Sequence, residues 1–140
     1  MALATFLQLL RPLTLHDQRA QRAYRGELDQ MASRLQGVFD AWLALREVAA
    51  DNVQLANAAA VNRWELMRLA RRAEHLEPPR SLANLHRDAH NALMGAARAC
   101  QLLANGYRFH KSDAVCDGQA LLIETVADLN ELAGQLQARS

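Results

Sequence analysis

The stretch His75-Leu76-Glu77-Pro78-Pro79-Arg80-Ser81-Leu82-Ala83-Asn84-Leu85-His86 decides the fold. Two consecutive prolines do not fit inside a helix: each lacks the N–H that would bond four residues back, and each disfavours helical backbone in the residue before it. Apolar residues at helical spacing run up to Pro78 and resume after Pro79. The stretch therefore predicts a corner at which one helix ends and a second folds back along it, with Ser81 as the N-cap of the second.

Working outward, the same seam of alternating steps of four and three recurs on both sides. Downstream of the corner it runs through Leu82, His86, Ala89, Leu93, Ala96, Cys100, Leu103 and Tyr107, a helix over about 81–108. Upstream, Leu55, Ala59, Asn62, Leu66, Leu69, Ala73 and Leu76 define a helix over about 52–77, and Tyr24, Leu28, Met31, Leu35, Val38, Trp42 and Leu45 one over about 17–48, with Trp42 a core residue. These last two seams are out of register with each other. Asp51 or Asn52 is placed to cap a new helix, with Gln54 as the capping-box partner of Asp51, so a turn is expected near 49–52. A helix continuous through this point would instead make an extended hairpin suited to dimerisation or swapping. Gly106 to Lys111 forms the next connection, and Ser112 or Asp113 caps a fourth helix over about 112–138, with Val115, Gln119, Leu122, Val126, Leu129, Ala133 and Leu136 on its seam. Four helices with short connections predict an all-α, up-down-up-down four-helix bundle spanning 13–140. Leu3, Phe6, Leu7 and Leu10 mark a short amphipathic helix over 1–12, ended by Arg11-Pro12.

Composition agrees. The chain has 140 residues, enough for one core, with only 6 glycines, 3 prolines and 5% aromatics, a mixture that favours helix over strand. A net charge of +1 gives no general case for nucleic-acid binding. Cys100 and Cys116 lack CxxC spacing and read as free, buried cysteines rather than a zinc site or a disulfide. No apolar run approaches the ~20 residues of a membrane span. Met1 to Leu15 lacks the basic start and the cleavage site of a signal peptide, so a cytoplasmic setting is expected.

Few residues carry recognisable chemistry. His86 and His90 lie one turn apart, a spacing that lets two imidazoles face one metal. In an up-down-up-down bundle His16, His75, His86 and His90 fall toward one pole, with Glu74, Glu77 and Asp88 near in sequence. A metal- or haem-binding bundle is therefore an alternative function, although no helix carries the Glu-x-x-His of di-iron bundles. Arg80 and His86 are loosely similar in spacing to the Arg-x(4–6)-His signature of HEPN-type helical nucleases, which would imply ribonuclease activity. Glu124, Asp128 and Glu131 have no matching Glu-x-x-Glu pair on an earlier helix, as MazG-like pyrophosphatases would require, and neither a phosphate loop nor a nucleophile elbow is present.

Surface patterning says more. Val53, Val61, Trp64, Arg68, Arg71 and His75 fall on the side of the second helix away from its seam, which predicts an exposed Trp64 among arginines, the residue types enriched at binding hot spots. The fourth helix carries Asp113, Asp117, Glu124, Asp128 and Glu131 and no basic residue. The basic and acidic faces could pair within one chain, pair between subunits, or remain solvated. Leu3, Phe6, Leu7 and Leu10, with Trp64, Arg68 and Arg71, are the expected contact residues. The N-terminal helix either folds back on its own bundle or docks elsewhere. The Trp64 face is covered by that helix of the same chain, by that of a second copy, or by another protein; a membrane surface is disfavoured by the lone Arg11 and the absence of lysines near it.

The run from Trp64 through Leu76-Glu77-Pro78-Pro79 to Leu85-His86 and Ala92-Leu93, with the Leu/Ala-patterned last helix, resembles a loose group of uncharacterised bacterial four-helix-bundle proteins, in which a Pro-Pro corner precedes a histidine on the third helix. The resemblance covers about 50–138 and implies the fold without implying a reaction. Many members carry signal or lipoprotein segments, which are not expected here. The sequence as a whole points to a non-enzymatic interaction or assembly subunit that needs no cofactor.

Overall fold

The computed structural model describes residues 15–48 and 50–138. The expected N-terminal helix, with Leu3, Phe6, Leu7 and Leu10, lies outside the described residues. Four helices follow in order: α1 over Leu15–Glu47, α2 over Asn52–His75, α3 over Ala83–Arg108 and α4 over Ser112–Ala138. They pack as a four-helix bundle in which α3 lies close against both α2 and α4, while α1 closes the far side against α4 and α2. The diagonal pair α2 and α4 do not touch, and α1 meets α3 only narrowly.

Local chemistry sets the boundaries. Asp51 caps α2: its Oδ1 accepts from the Gln54 N–H at 2.8 Å, and Gln54 Oε1 accepts from the Asp51 N–H at 3.0 Å. This reciprocal box satisfies two of the backbone groups that a helix start leaves without partners, and it ends the α1–α2 continuity. At the proline corner, α2 stops at His75 and a 3-10 turn over Arg80–Leu82 leads into α3. Ser81 does not cap that helix, contrary to expectation. It sits inside the 3-10 turn, closed by Leu82 N–H to the Pro79 carbonyl at 2.8 Å, and α3 starts one residue after Leu82 with no side-chain cap. The tighter turn carries Leu82, only 2% exposed, into the core, and that burial replaces a hydroxyl cap.

The α3–α4 connection is shorter than expected. Gly106 is inside α3, and the chain reverses over Phe109–Lys111. His110 takes the left-handed conformation at φ 53°, and Lys111 N–H reaches the Gly106 carbonyl at 2.8 Å, the long bond of a Schellman stop. The His110 ring also lies 3.1 Å from the Asn52 amide, tying this turn to the start of α2. Ser112 and Asp113 are the first residues of α4 and lie within it.

The seams read from sequence form the core. Leu28, Leu35, Leu66, Leu93, Leu103, Leu122, Leu129 and Cys100 are its largest fully buried side chains, and Trp42 is buried with Arg46 stacked 5.1 Å above its ring. Leu45, Asn62, Leu76, His86, Tyr107, Val115 and Gln119 are half-buried seam positions at the rim. Between α3 and α4 the core is thin: Ala92, Ala96, Ala99 and Gly118 let the backbones approach until a Cβ on Gly118 would stand 2.9 Å from the Ala99 carbonyl oxygen. A Cβ on Gly106 would stand 2.9 Å from the Val115 nitrogen. These residues make α3–α4 a backbone-close pair, whereas the larger Leu, Met, Tyr and Trp side chains of α1 hold it further out.

Candidate functional site

A helix with one apolar seam should turn only polar groups outward. α2 does not. Positions 53, 57, 61, 64, 68, 71 and 75 repeat at steps of three and four opposite its buried seam and are all exposed. Trp64 and Val53 are each 68% exposed and Val61 61%, so an apolar strip runs along the first half of the helix and Arg68, Arg71 and His75 continue it. No carboxylate lies on this strip. The flank toward α1 is balanced differently: Arg72 pairs with Glu27 at 2.7 Å and reaches Gln30 at 3.5 Å, and Arg34, Glu65 and Arg68 line the groove beside them.

The opposite edge of the bundle has the other sign. Asp113, Asp117, Glu124, Asp128 and Glu131 are exposed along the outer side of α4, interleaved with exposed Ala120 and Ala127 and flanked by Ile123, 55% exposed. Because α2 and α4 lie on a diagonal and do not touch, these two faces cannot pair within one molecule. That removes the intramolecular pairing left open by the sequence.

The histidine pole is only partly assembled. Nδ1 of His86 lies 2.8 Å from the Tyr24 hydroxyl, and the two rings meet edge-on at 5.5 Å. His86 also has a hydrogen bond with the Ala73 backbone. Burial pushes the Tyr24 phenol up to about 12, so the hydroxyl keeps its proton and is able to donate to Nδ1. Burial lowers the His86 pKa below 6.5, the Ala73 backbone opposes that shift, and neighbouring His90 adds to it. His90 turns to Glu74, with Nε2 to Oε1 at 3.1 Å. His75 and His16 are exposed; His16 precedes Tyr24 by two helical turns, about 12 Å along the axis. Among the described residues, no three His, Cys, Asp or Glu side chains are placed to hold a metal ion. His86 and His90 thus share the pole but turn to different partners, His86 to Tyr24 and His90 to Glu74. Arg80 is exposed on the 3-10 turn while His86 turns to Tyr24.

One feature escaped the sequence reading. α1 and α4 part along Ser33, Gly37, Asn130 and Gly134 to leave an open polar groove, crossed by an Asn130 to Gln36 bond at 3.0 Å. Its signal in the sequence is the pairing of small residues on two helices, which becomes visible only when their registers are known. Cys100 is buried, with its thiol pushed up to about 12 by desolvation, while Cys116, expected buried, is exposed on the outer side of α4. Among the described residues no helix is long and apolar enough to cross a membrane. No family model matches the chain, and no curated protein or solved structure matches it significantly.

Proposed function

We propose that this chain is a non-enzymatic interaction or assembly subunit that binds protein through the outer face of α2, with residues 1–11 as a second contact. The observation that carries the reading is Trp64, 68% exposed in line with Val53 and Val61, one turn before Arg68 and two before Arg71. Covering such a strip removes apolar surface from water at about 25 cal/mol per Å² and places guanidinium groups at its end, the make-up of a hot spot. Two free thiols, one of them exposed, support a reducing, cytoplasmic setting.

The test is the mass of the complexes the protein forms, measured by light scattering on native extract fractions and on pure protein, with metal analysis of the same samples. Trp64→Ala and deletion of residues 1–11 are each expected to lower that mass while far-UV circular dichroism is retained. Complexes of unchanged mass would overturn the reading. Stoichiometric metal in a monomer would replace it with a histidine-bound metal site at His86 and His90.

A further inference from the structure

We infer that the occupant of the α2 face is the acidic outer face of α4 on a second copy of this chain, so that copies associate head to tail. The inference rests on the α2 face being an interaction surface and identifies its partner. Three observations carry it.

The first is charge. The α2 strip ends in Arg68, Arg71 and His75 with no carboxylate, and α4 presents five exposed carboxylates on a helix with no basic residue from Ser112 to Ala138. α2 against α2 would set Arg68 and Arg71 against an equally basic row, with only Glu65 and Glu74 on its flanks to offset them, and α4 against α4 would crowd carboxylates. Residues 1–14 contain no acidic side chain and cannot neutralise the arginines either. Only the pairing of α2 with α4 matches both rows.

The second is shape. Along α4 the carboxylates alternate with exposed Ala120 and Ala127 beside Ile123, small and apolar side chains that offer little steric bulk to a protruding Trp64. The third is placement. The faces lie on a diagonal of the bundle, unable to meet in one molecule and pointing to opposite sides, so each copy offers both halves of the contact. Such an interface is heterologous and closes into a ring or extends as a chain. A net charge of only +1 leaves little general repulsion to oppose it.

Two variants test this, one per face: Arg68→Ser/Arg71→Ser and Glu124→Lys/Glu131→Lys. All four positions are exposed, and circular dichroism checks that helicity is kept. Wild-type protein should show a mass above the 15.6 kDa chain that rises with concentration and falls between about 0.1 and 1 M salt, as the Debye length shrinks from about 10 to 3 Å. Each variant alone should associate at least about tenfold more weakly. Mixed, they should form a complex that stops at two chains, because one keeps its acidic face and the other its basic face. A wild-type protein that stays monomeric at its highest soluble concentration, or a mixture that forms no pair, would overturn the inference. Association weakened by Trp64→Ala but untouched by the α4 variant would also overturn it and leave the α2 reading standing. Association indifferent to both would end both.

Discussion

The Tyr24 hydroxyl and His86 Nδ1, 62 positions apart in sequence, lie 2.8 Å apart and join α1 to α3 across the diagonal of the bundle. These helices otherwise barely meet, so the bond is a cross-brace at one pole. Burial at this brace lowers the His86 pKa and so favours the neutral ring.

That state makes stability depend on pH. Because the folded protein lowers the His86 pKa below 6.5, chiefly through burial, the unfolded chain takes up the proton more readily. The contribution is complete above the unfolded value and is lost as pH falls through 6.5 toward the lower folded value. Urea unfolding at stepped pH should show the decline. Tyr24→Phe removes the hydroxyl, breaks its bond with Nδ1 and should cost about 1–2 kcal/mol at pH 8. The pH dependence should remain in this variant, because burial and not the phenol is the chief cause of the lowered pKa; a flat profile would contradict that.

The glycines of α4 should answer differently to the same substitution. At Gly118 a new Cβ meets the Ala99 carbonyl oxygen and the Leu103 Cγ at 2.9 Å each, and a backbone oxygen cannot step aside. Gly118→Ala must part α3 from α4 and should destabilise by about 1–3 kcal/mol despite the better helix former. Gly134 faces open space, so Gly134→Ala should stabilise by up to about 1 kcal/mol. Thermal unfolding of the two variants decides this; equal shifts of one sign would contradict the close α3–α4 approach.

Helix starts offer a second contrast. Asp51→Ala breaks one bond of the Asp51–Gln54 box and should cost about 1 kcal/mol. Ser81→Ala should change stability by less than about 0.5 kcal/mol, because Ser81 is exposed within the 3-10 turn and caps nothing. A larger loss at Ser81 than at Asp51 in denaturant titrations would reverse the reading of the corner.

Much of the fold was legible because helix periodicity is a local property. A buried seam repeats at three and four whatever packs on it, so Leu28 to Trp42, Leu55 to Ala73 and Leu122 to Leu136 could be assigned to inner faces without knowing their neighbours. Trp64 was read as exposed for the same reason, by its angle from its own seam. Ser81 misled because a good capping residue marks a helix start only if the backbone there is not already drawn into a tighter turn by a burial demand, here that of Leu82. Cys116 misled because its side of α4 could not be placed from residue type alone.

By itself, then, the sequence determined the class of fold, the corner at Pro78-Pro79, the Asp51 start and the two oppositely charged helix faces, all set by interactions within about one turn of chain. Only the tertiary structure decided which helices are neighbours. That placed Tyr24 on His86 and Glu74 on His90, set the Gly118 backbone against Ala99, and put the basic and acidic faces on diagonal helices that do not touch. The reason is physical: the order in which helices surround a core follows from how their side-chain volumes fill shared space, and that depends on pairs of residues far apart in the chain.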